Sequence, residues 1–274
     1  MFLSVEHITS RQNPLLVLAT KLLDKKHRDA EGIFRFDGKK LCYEAVEKGL
    51  PLVALILKES AASTLLDGIK EATLPADCRV VALPDALFLR LSEEKAPEGV
   101  ICLCRRLSTL HTVKAAGDTA PLEGTGRMLF LEGIQDPGNL GTMIRSARAF
   151  GVERVVLSPD CADIYHPRTL RAAMGALFSQ CITVAEDFVG TVKEQSAVRR
   201  VFAATLNDKA RRLDTVAPRS SDAVIIGNEG HGIQEVTVSA ATDSVYIPMD
   251  AGVESLNAGV AAAVVLWEFY RAGE

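Results

Sequence analysis

Short apolar runs alternate along this chain with stretches whose apolar positions recur every three or four residues, the periods of strand and helix. In the first hundred residues the runs predict strands at Ile33–Phe36, Leu52–Leu57, Arg79–Leu83 and Gly99–Leu103. Helical spacing predicts helices at Pro14–Leu23, Lys39–Lys48, Thr64–Ile69 and Asp85–Leu91. Thr9-Ser-Arg-Gln-Asn-Pro14 is a helix-entry signal: polar caps, then a proline suited to the first turn. Asp24-Lys-Lys-His-Arg28 reads as a basic knot on a turn. Alternation on this scale makes a small α/β domain.

Residues 107–127 lose both periods and gather Gly, Thr and Ala, the composition of a linker. Beyond it, strands are predicted at Met128–Leu131, Arg154–Leu157, Ile182–Val184, Arg200–Ala204, Ala223–Ile226 and Ser244–Ile247. Helices are predicted at Leu140–Phe150, Thr169–Leu177, Val189–Ala197, Gln234–Ala240 and Leu256–Phe269. These strands are continuous apolar runs, as in a parallel sheet covered on both faces. The expected organisation is an α/β domain over 1–106, a linker over 107–127 and a parallel-sheet α/β domain over 128–274. Near the end, Pro248 stops a strand and Ser255 stands where an N-cap belongs. The helix that follows is apolar nearly all round, which predicts a buried one. Gly259 inside it costs about 1 kcal/mol relative to alanine and predicts close approach of another backbone.

Composition narrows the class. With 274 residues and 48% hydrophobic content the chain is globular, and its net charge of −4 offers no overall attraction to a polyanion. Charge is uneven, however: eight Lys/Arg face four Asp/Glu between Arg11 and Lys40, against fifteen and twenty over residues 111–274. A basic N-terminal patch on an acidic body is compatible with nucleic acid. The six cysteines have no metal-site or redox spacing, so they read as free thiols in a reducing cytoplasm, and no metal is expected. No signal peptide opens the chain, and no apolar run approaches the roughly 20 residues that span a bilayer. A soluble, cytoplasmic protein is expected.

Three loops that follow predicted strands carry the chemistry, since open parallel sheets bind ligands beyond the carboxyl ends of their strands. The first, Glu132 to Arg145, is glycine-rich and flows into a helix with Thr142, Arg145 and Arg148 on its polar stripe, a fair anion site. The second, Gly227-Asn-Glu-Gly-His-Gly232, allows close backbone approach to a ligand and pins Glu229 as a candidate partner for Arg145. The third places the hydroxyl of Ser255 and the amide of Asn257 at a helix start. Neither a Walker P-loop nor a dinucleotide fingerprint is present.

Together and in this order, Asp136-Pro-Gly-Asn-Leu-Gly-x-x-x-Arg145, Gly227-x-Glu-Gly-x-Gly232 and Ile247-Pro-Met with Ser255-Leu-Asn257 resemble the three motifs of the SpoU (TrmH-like) RNA ribose methyltransferases of the SPOUT class. The resemblance covers about residues 128–270. More loosely, Ile8 to Pro14 and Phe36-Asp-Gly-x-x-Leu41 look like the small ribosomal-protein-like domain that often precedes this catalytic domain. The resemblance implies a trefoil knot in the second domain, S-adenosylmethionine as cofactor, and a homodimer that shares its sites. It implies Asn139, Arg145, Glu229, Ser255 and Asn257 as the catalytic set. Cofactor contacts would come from Thr205, Leu206, Gly227, Gly232, Ile247, Met249 and Leu256, and RNA contacts from Arg11, Asn13, Lys25, Lys26 and Arg28. Where relatives usually read Ser-Leu-Asn-Val-Ser-Val-Ala, this chain has Gly259, and it has alanines at 173 and 176 where many carry serine.

The family ascribes deprotonation of the ribose 2′-hydroxyl to the arginine at 145. A guanidinium holds its proton to about pH 12 or above, so a clamp on phosphate and oxyanion, oriented by Glu229, is the better expectation. The expected reaction is 2′-O-methylation, with ribosomal RNA preferred to tRNA because a separate RNA-binding domain suits a large structured substrate. A SPOUT base methyltransferase, a non-catalytic RNA-binding relative and an unrelated nucleotide-binding α/β enzyme stay open at this point.

Overall fold

The computed structural model describes residues 4–69, 74–114, 122–250, 252–253 and 255–271. In chain order the first elements are β1 (Val5–His7), α1 (Pro14–Lys21), α2 (Lys25–Glu31), β2 (Ile33–Asp37) and α3 (Lys39–Glu47). They continue with β3 (Leu52–Lys58), α4 (Ala62–Asp67), β4 (Arg79–Leu83), α5 (Asp85–Leu91) and β5 (Val100–Arg105). Then come β6 (Leu110–Val113), β7 (Met128–Leu131), α6 (Pro137–Ala149), β8 (Arg154–Leu157), α7 (Pro167–Ala173) and β9 (Cys181–Ala185). The last are α8 (Phe188–Val198), β10 (Val201–Ala204), β11 (Arg211–Arg212), β12 (Ala223–Ile226), α9 (Glu235–Ala240), β13 (Asp243–Tyr246) and α10 (Ala258–Arg271).

The chain forms two compact units, Met1–Leu107 with Tyr165–Phe178, and Ser108–Ile164 with Ser179–Glu274. The expected boundaries therefore need two corrections. The segment 165–178 belongs to the first unit, because alternation along β2 sends Phe34 and Phe36 to the face opposite Ile33 and Arg35. There Phe34 stacks on Tyr165 with centroids 4.4 Å apart, and Phe36 meets Phe178 at 5.3 Å. The Leu107 N–H also donates to the Tyr165 hydroxyl at 3.0 Å. The expected linker holds a strand, β6, which pairs in parallel with β9, while residues 115–121 of it lie outside the described residues.

In the first unit the sheet order is β1-β4-β3-β5-β2, parallel between β1, β4 and β3 and antiparallel at β5 and β2. One face packs on α1 and α5 through Leu15, Leu16, Ile56, Phe88 and Ile101. The basic turn expected at 24–28 is instead the start of α2, because Asp24 caps it, its Oδ1 accepting from Lys26 N at 2.9 Å.

The second unit carries a wholly parallel sheet of order β11-β13-β10-β12-β7-β8-β9-β6 among the described residues. Every residue of β7, β8 and β12 is buried, as the uniform apolar runs of β7 and β12 require. From β7 the chain goes to β8 and β9 on one side and later returns to β12 on the other, which makes the gap between β7 and β12 a topological switch point. The helix α10 departs from expectation: Val260, Val264 and Trp267 are 50%, 37% and 49% exposed, so an apolar stripe faces outward. Its inner side is closed by Ala262, Val265, Leu266 and Phe269, the last edge-to-face with Phe202. No helix among the described residues is long and apolar enough to cross a membrane.

Candidate active site

Because β13, β10, β12 and β7 lie side by side and parallel, the loops that follow them leave the sheet at one edge. Three of these loops enclose a cavity of about 340 Å³. All seven expected cofactor residues line it: Thr205 and Leu206 after β10, Gly227 and Gly232 after β12, and Ile247, Met249 and Leu256 after β13. Among the described residues Glu229 is the single charged one in its lining, and no lysine or arginine contributes. The turn after β12 closes on itself, Asn228 and Gly232 exchanging backbone bonds of 3.0 and 2.9 Å. A Cβ at Gly227 would collide with the backbone of Gly232 and Ile233, and Gly232 has φ 69°, so both positions demand glycine.

Beside this cavity the polar residues form one directed chain. Asp136 caps α6, accepting from Asn139 N at 2.8 Å, and Pro137 occupies the first turn. Asn139 is thereby aimed across the loops, and its Nδ2 donates to Glu229 Oε1 at 2.7 Å. Its Oδ1 accepts from Asn257 Nδ2 at 3.0 Å, and Asn257 Oδ1 accepts from Gly259 N at 2.9 Å and Val260 N at 3.2 Å. A carboxylate only accepts and helix-start N–H groups only donate, so the two amides between them have one consistent orientation. Asn257, not Ser255, is the cap of α10, and the helix begins two residues later than expected. Ser255 lines the cavity with its hydroxyl unpaired among the described residues.

Arg145 is exposed on α6 without a hydrogen bond or ion pair among the described residues. Six residues of helix put it about 9 Å along the axis from Asn139. The pairing expected between Glu229 and Arg145 is absent, since Glu229 spends its bond on Asn139. Gly259 also answers to a different neighbour. A Cβ there would meet side-chain atoms, Asn257 Oδ1 at 3.2 Å, Thr142 Cγ2 at 3.4 Å and Asn139 Oδ1 at 3.5 Å, not a second backbone.

The expected RNA residues divide. Arg11, Lys25 and Lys26 are exposed, with Lys25 Nζ 3.9 Å from an Asp29 carboxylate oxygen. Asn13 is partly occupied, its Oδ1 capping α1 through Leu15 N at 3.0 Å. Arg28 is a correction: it is 2% exposed and its Nη1 donates to the carbonyls of Leu22 and Leu23 at 2.8 and 2.7 Å. It satisfies the end of α1 and is not placed for a phosphate. Two polar cavity-lining residues were not foreseen, Asn228 and Tyr246. The first had a usable signal, because an asparagine beside glycines bonds its own backbone two residues on. Among the described residues no group of three or more His, Cys, Asp or Glu is placed to hold a metal ion.

The profile of the SpoU rRNA Methylase family matches residues 126–267, and that of the MRM3-like substrate binding domain matches residues 6–102. The 23S rRNA (guanosine(2553)-2′-O)-methyltransferase RlmP of Bacillus subtilis is 28% identical over 269 residues, 96% of this chain and 98% of that one. The 23S rRNA (guanosine-2′-O-)-methyltransferase RlmB of Coxiella burnetii is 26% identical over 223 residues, 81% of this chain and 89% of that one. Among solved structures, the AdoMet-bound rRNA methyltransferase from Sinorhizobium meliloti superposes with a TM-score of 0.80 at 26% identity, covering 97% of this chain and 98% of that one. A TrmH-family protein from Porphyromonas gingivalis also gives 0.80 at 27% identity, covering 95% and 98%. The matched region holds the whole Asp136–Asn139–Glu229–Asn257 chain and every cavity-lining loop, so this chain belongs to the SpoU rRNA methylase family.

Proposed function

We propose that this chain transfers the methyl group of S-adenosylmethionine to a ribose 2′-hydroxyl of ribosomal RNA. It is an enzyme of the SpoU family, and its cofactor is S-adenosylmethionine. The observation that carries the reading is the cavity bounded by the loops after β10, β12 and β13, two of them motif loops, with the Asn139–Glu229–Asn257 chain beside it. Its volume of about 340 Å³ lies in the usual small-ligand range of about 300–1,000 Å³. A lining of glycine and apolar residues lets backbone groups read an adenine edge. Among the described residues that lining holds one carboxylate and no Lys or Arg, which suits a cationic sulfonium.

When bound, the cofactor supplies an electrophilic methyl group. The residues after β10, β12 and β13 would hold it, and the amide chain would fix Glu229 and the start of α10 around the incoming ribose. Arg145, without a protein partner among the described residues, would grip RNA phosphate and donate to the developing 2′-oxyanion while keeping its own proton, the proton of the hydroxyl leaving to solvent water. Ser255 would offer its free hydroxyl to the same ribose. Positioning supplies much of such a rate, since the acceptor oxygen must lie in line with the transferred group.

The first unit would grip folded RNA through Arg11, Lys25 and Lys26, by backbone and shape. Ribosomal RNA is preferred because the full-length relatives bear rRNA names. The outward stripe of Leu256, Val260, Val264 and Trp267 supports a homodimer in which the partner completes the site. The family knot and a cytoplasmic location, which suits six unpaired cysteines, belong to the same reading. The test is incubation with labelled cofactor and total RNA, followed by mapping of the product. A 2′-O-methylated ribosomal nucleotide is expected; label on a base, or no transfer at all, would defeat the assignment.

A further inference from the structure

We propose that Asn228 is a positioning residue of this site, its carboxamide holding the glycine turn in the one shape that presents Glu229 to Asn139. The inference rests on the methyltransferase reading and adds a residue that acts through another.

Asn228 is half-buried, and its side chain uses both of its polar atoms. Oδ1 accepts from Gly230 N at 2.8 Å and from His231 N at 3.1 Å, while Nδ2 donates to the Gly133 carbonyl at 2.7 Å. The two acceptor bonds fold the residues just after Glu229 back onto the turn, and the donor bond ties the turn to the loop after β7. That anchor is itself held: Gly133 N donates to Ser158 Oγ at 2.8 Å, and the Ser158 hydroxyl bonds Asp160. At the far end of the turn, Glu132 accepts from Gln234 N at 2.9 Å and from the Thr237 hydroxyl at 2.5 Å. The turn is therefore clamped front and back by the neighbouring strand's loop. Glu229 lies between the clamped residues and is exposed, so its direction comes from the backbone beneath it. None of these bonds passes through the Asn139–Glu229–Asn257 chain. Asn228 is thus a second, separate constraint on the same carboxylate.

The chemistry of the carboxamide gives the test its discrimination. Alanine removes all three bonds. Aspartate keeps both acceptor bonds but turns a bare carboxylate toward the Gly133 carbonyl, and only its protonated form restores the donor. Full-length Asn228→Ala and Asn228→Asp proteins are assayed for methyl transfer to ribosomal RNA, with kcat, KM for S-adenosylmethionine and melting temperature measured across pH. For Asn228→Ala, kcat is expected to fall about 10- to 100-fold, the scale of a misplaced reacting group. For Asn228→Asp, the loss should be similar on the alkaline side and should shrink as the pH falls and the acid regains its proton, a limb the wild-type profile lacks. Should Asn228→Ala fail to fold, that acid limb alone decides. Wild-type kcat in Asn228→Ala, or an Asn228→Asp profile parallel to wild type, would overturn the proposal while leaving the methyltransferase reading intact. A wild-type protein that transfers no methyl group would overturn both.

Discussion

Most arginines of the first unit and Arg145 on the helix α6 of the second are used in opposite ways. In the first, Arg28 and Arg35 are 2% and 1% exposed and end on main-chain carbonyls, with Arg35 also on Asp37. Lys25 and Arg106 both share Asp29, and Arg79 and Arg105 are paired with Glu6 and Asp77. On α6, Arg145 stands exposed and unpaired among the described residues. A charge counted along a sequence is thus not yet a charge available to a phosphate. What decides is whether the fold has already given it a partner, and that difference can be tested arginine by arginine.

The largest expected effect falls on the buried side. Arg35 Nη2 meets both Asp37 oxygens at 2.9 and 3.1 Å, and Nη1 donates to Ala19 O at 3.0 Å. Removing one member of a buried pair costs about 3–5 kcal/mol because the other charge is stranded. Arg35→Ala should therefore lower stability by that amount in urea unfolding; a change below about 1 kcal/mol would mean the pair is solvated after all. Arg145→Lys should do the reverse. Stability should stay within about 0.5 kcal/mol, as for an exposed site. Meanwhile kcat should drop about 100-fold, since a lysine cannot reproduce the planar fork. Near-full turnover in that variant would remove the clamp.

Much of this was legible in the sequence, for reasons that differ by element. β7 and β12 announce themselves because a parallel strand buried on both faces has no polar position to blur its run. The glycine turn was readable because backbone sterics at Gly227 and φ 69° at Gly232 exclude other residues. What stayed hidden depends on distant partners. Nothing local to residues 165–178 says that Phe34 and Phe36 need covering. Nothing local to Ser255 says that Asn257, held by Asn139, will take the cap. The exposed stripe of α10 escaped because an apolar surface looks the same in sequence whether neighbours or a partner cover it.

Gly259 sharpens the contrast at a smaller scale. Alanine there gains about 1 kcal/mol of helix propensity in principle. Its Cβ, however, would stand 3.2 Å from Asn257 Oδ1 and 3.5 Å from Asn139 Oδ1. The net stability change of Gly259→Ala should stay under about 1 kcal/mol, while turnover falls several-fold as the two amides are pushed apart. If thermal melting shifts and kcat does not, the position matters for packing alone.

The smallest effect is the one that separates buried from available charge within a single stretch of chain. Arg11→Ala and Lys26→Ala each remove an exposed cation. If each contacts one phosphate, the slope of log affinity against log salt should fall by about 1 per substitution, with weakening that is uniform across RNA sequences. Arg28 differs in sequence from Lys26 by two positions and in the fold by everything else: its guanidinium holds Leu22 and Leu23 carbonyls at the end of α1. Arg28→Ala should accordingly leave the salt slope unchanged and appear instead as lost stability, because removing a buried donor strands its acceptors. A filter-binding series over salt, with melting curves on the same proteins, reads both quantities. Were Arg28→Ala to lower the slope as Lys26→Ala does, its guanidinium would have to leave those carbonyls when RNA arrives, and burial in the free protein would no longer tell which arginines meet the substrate.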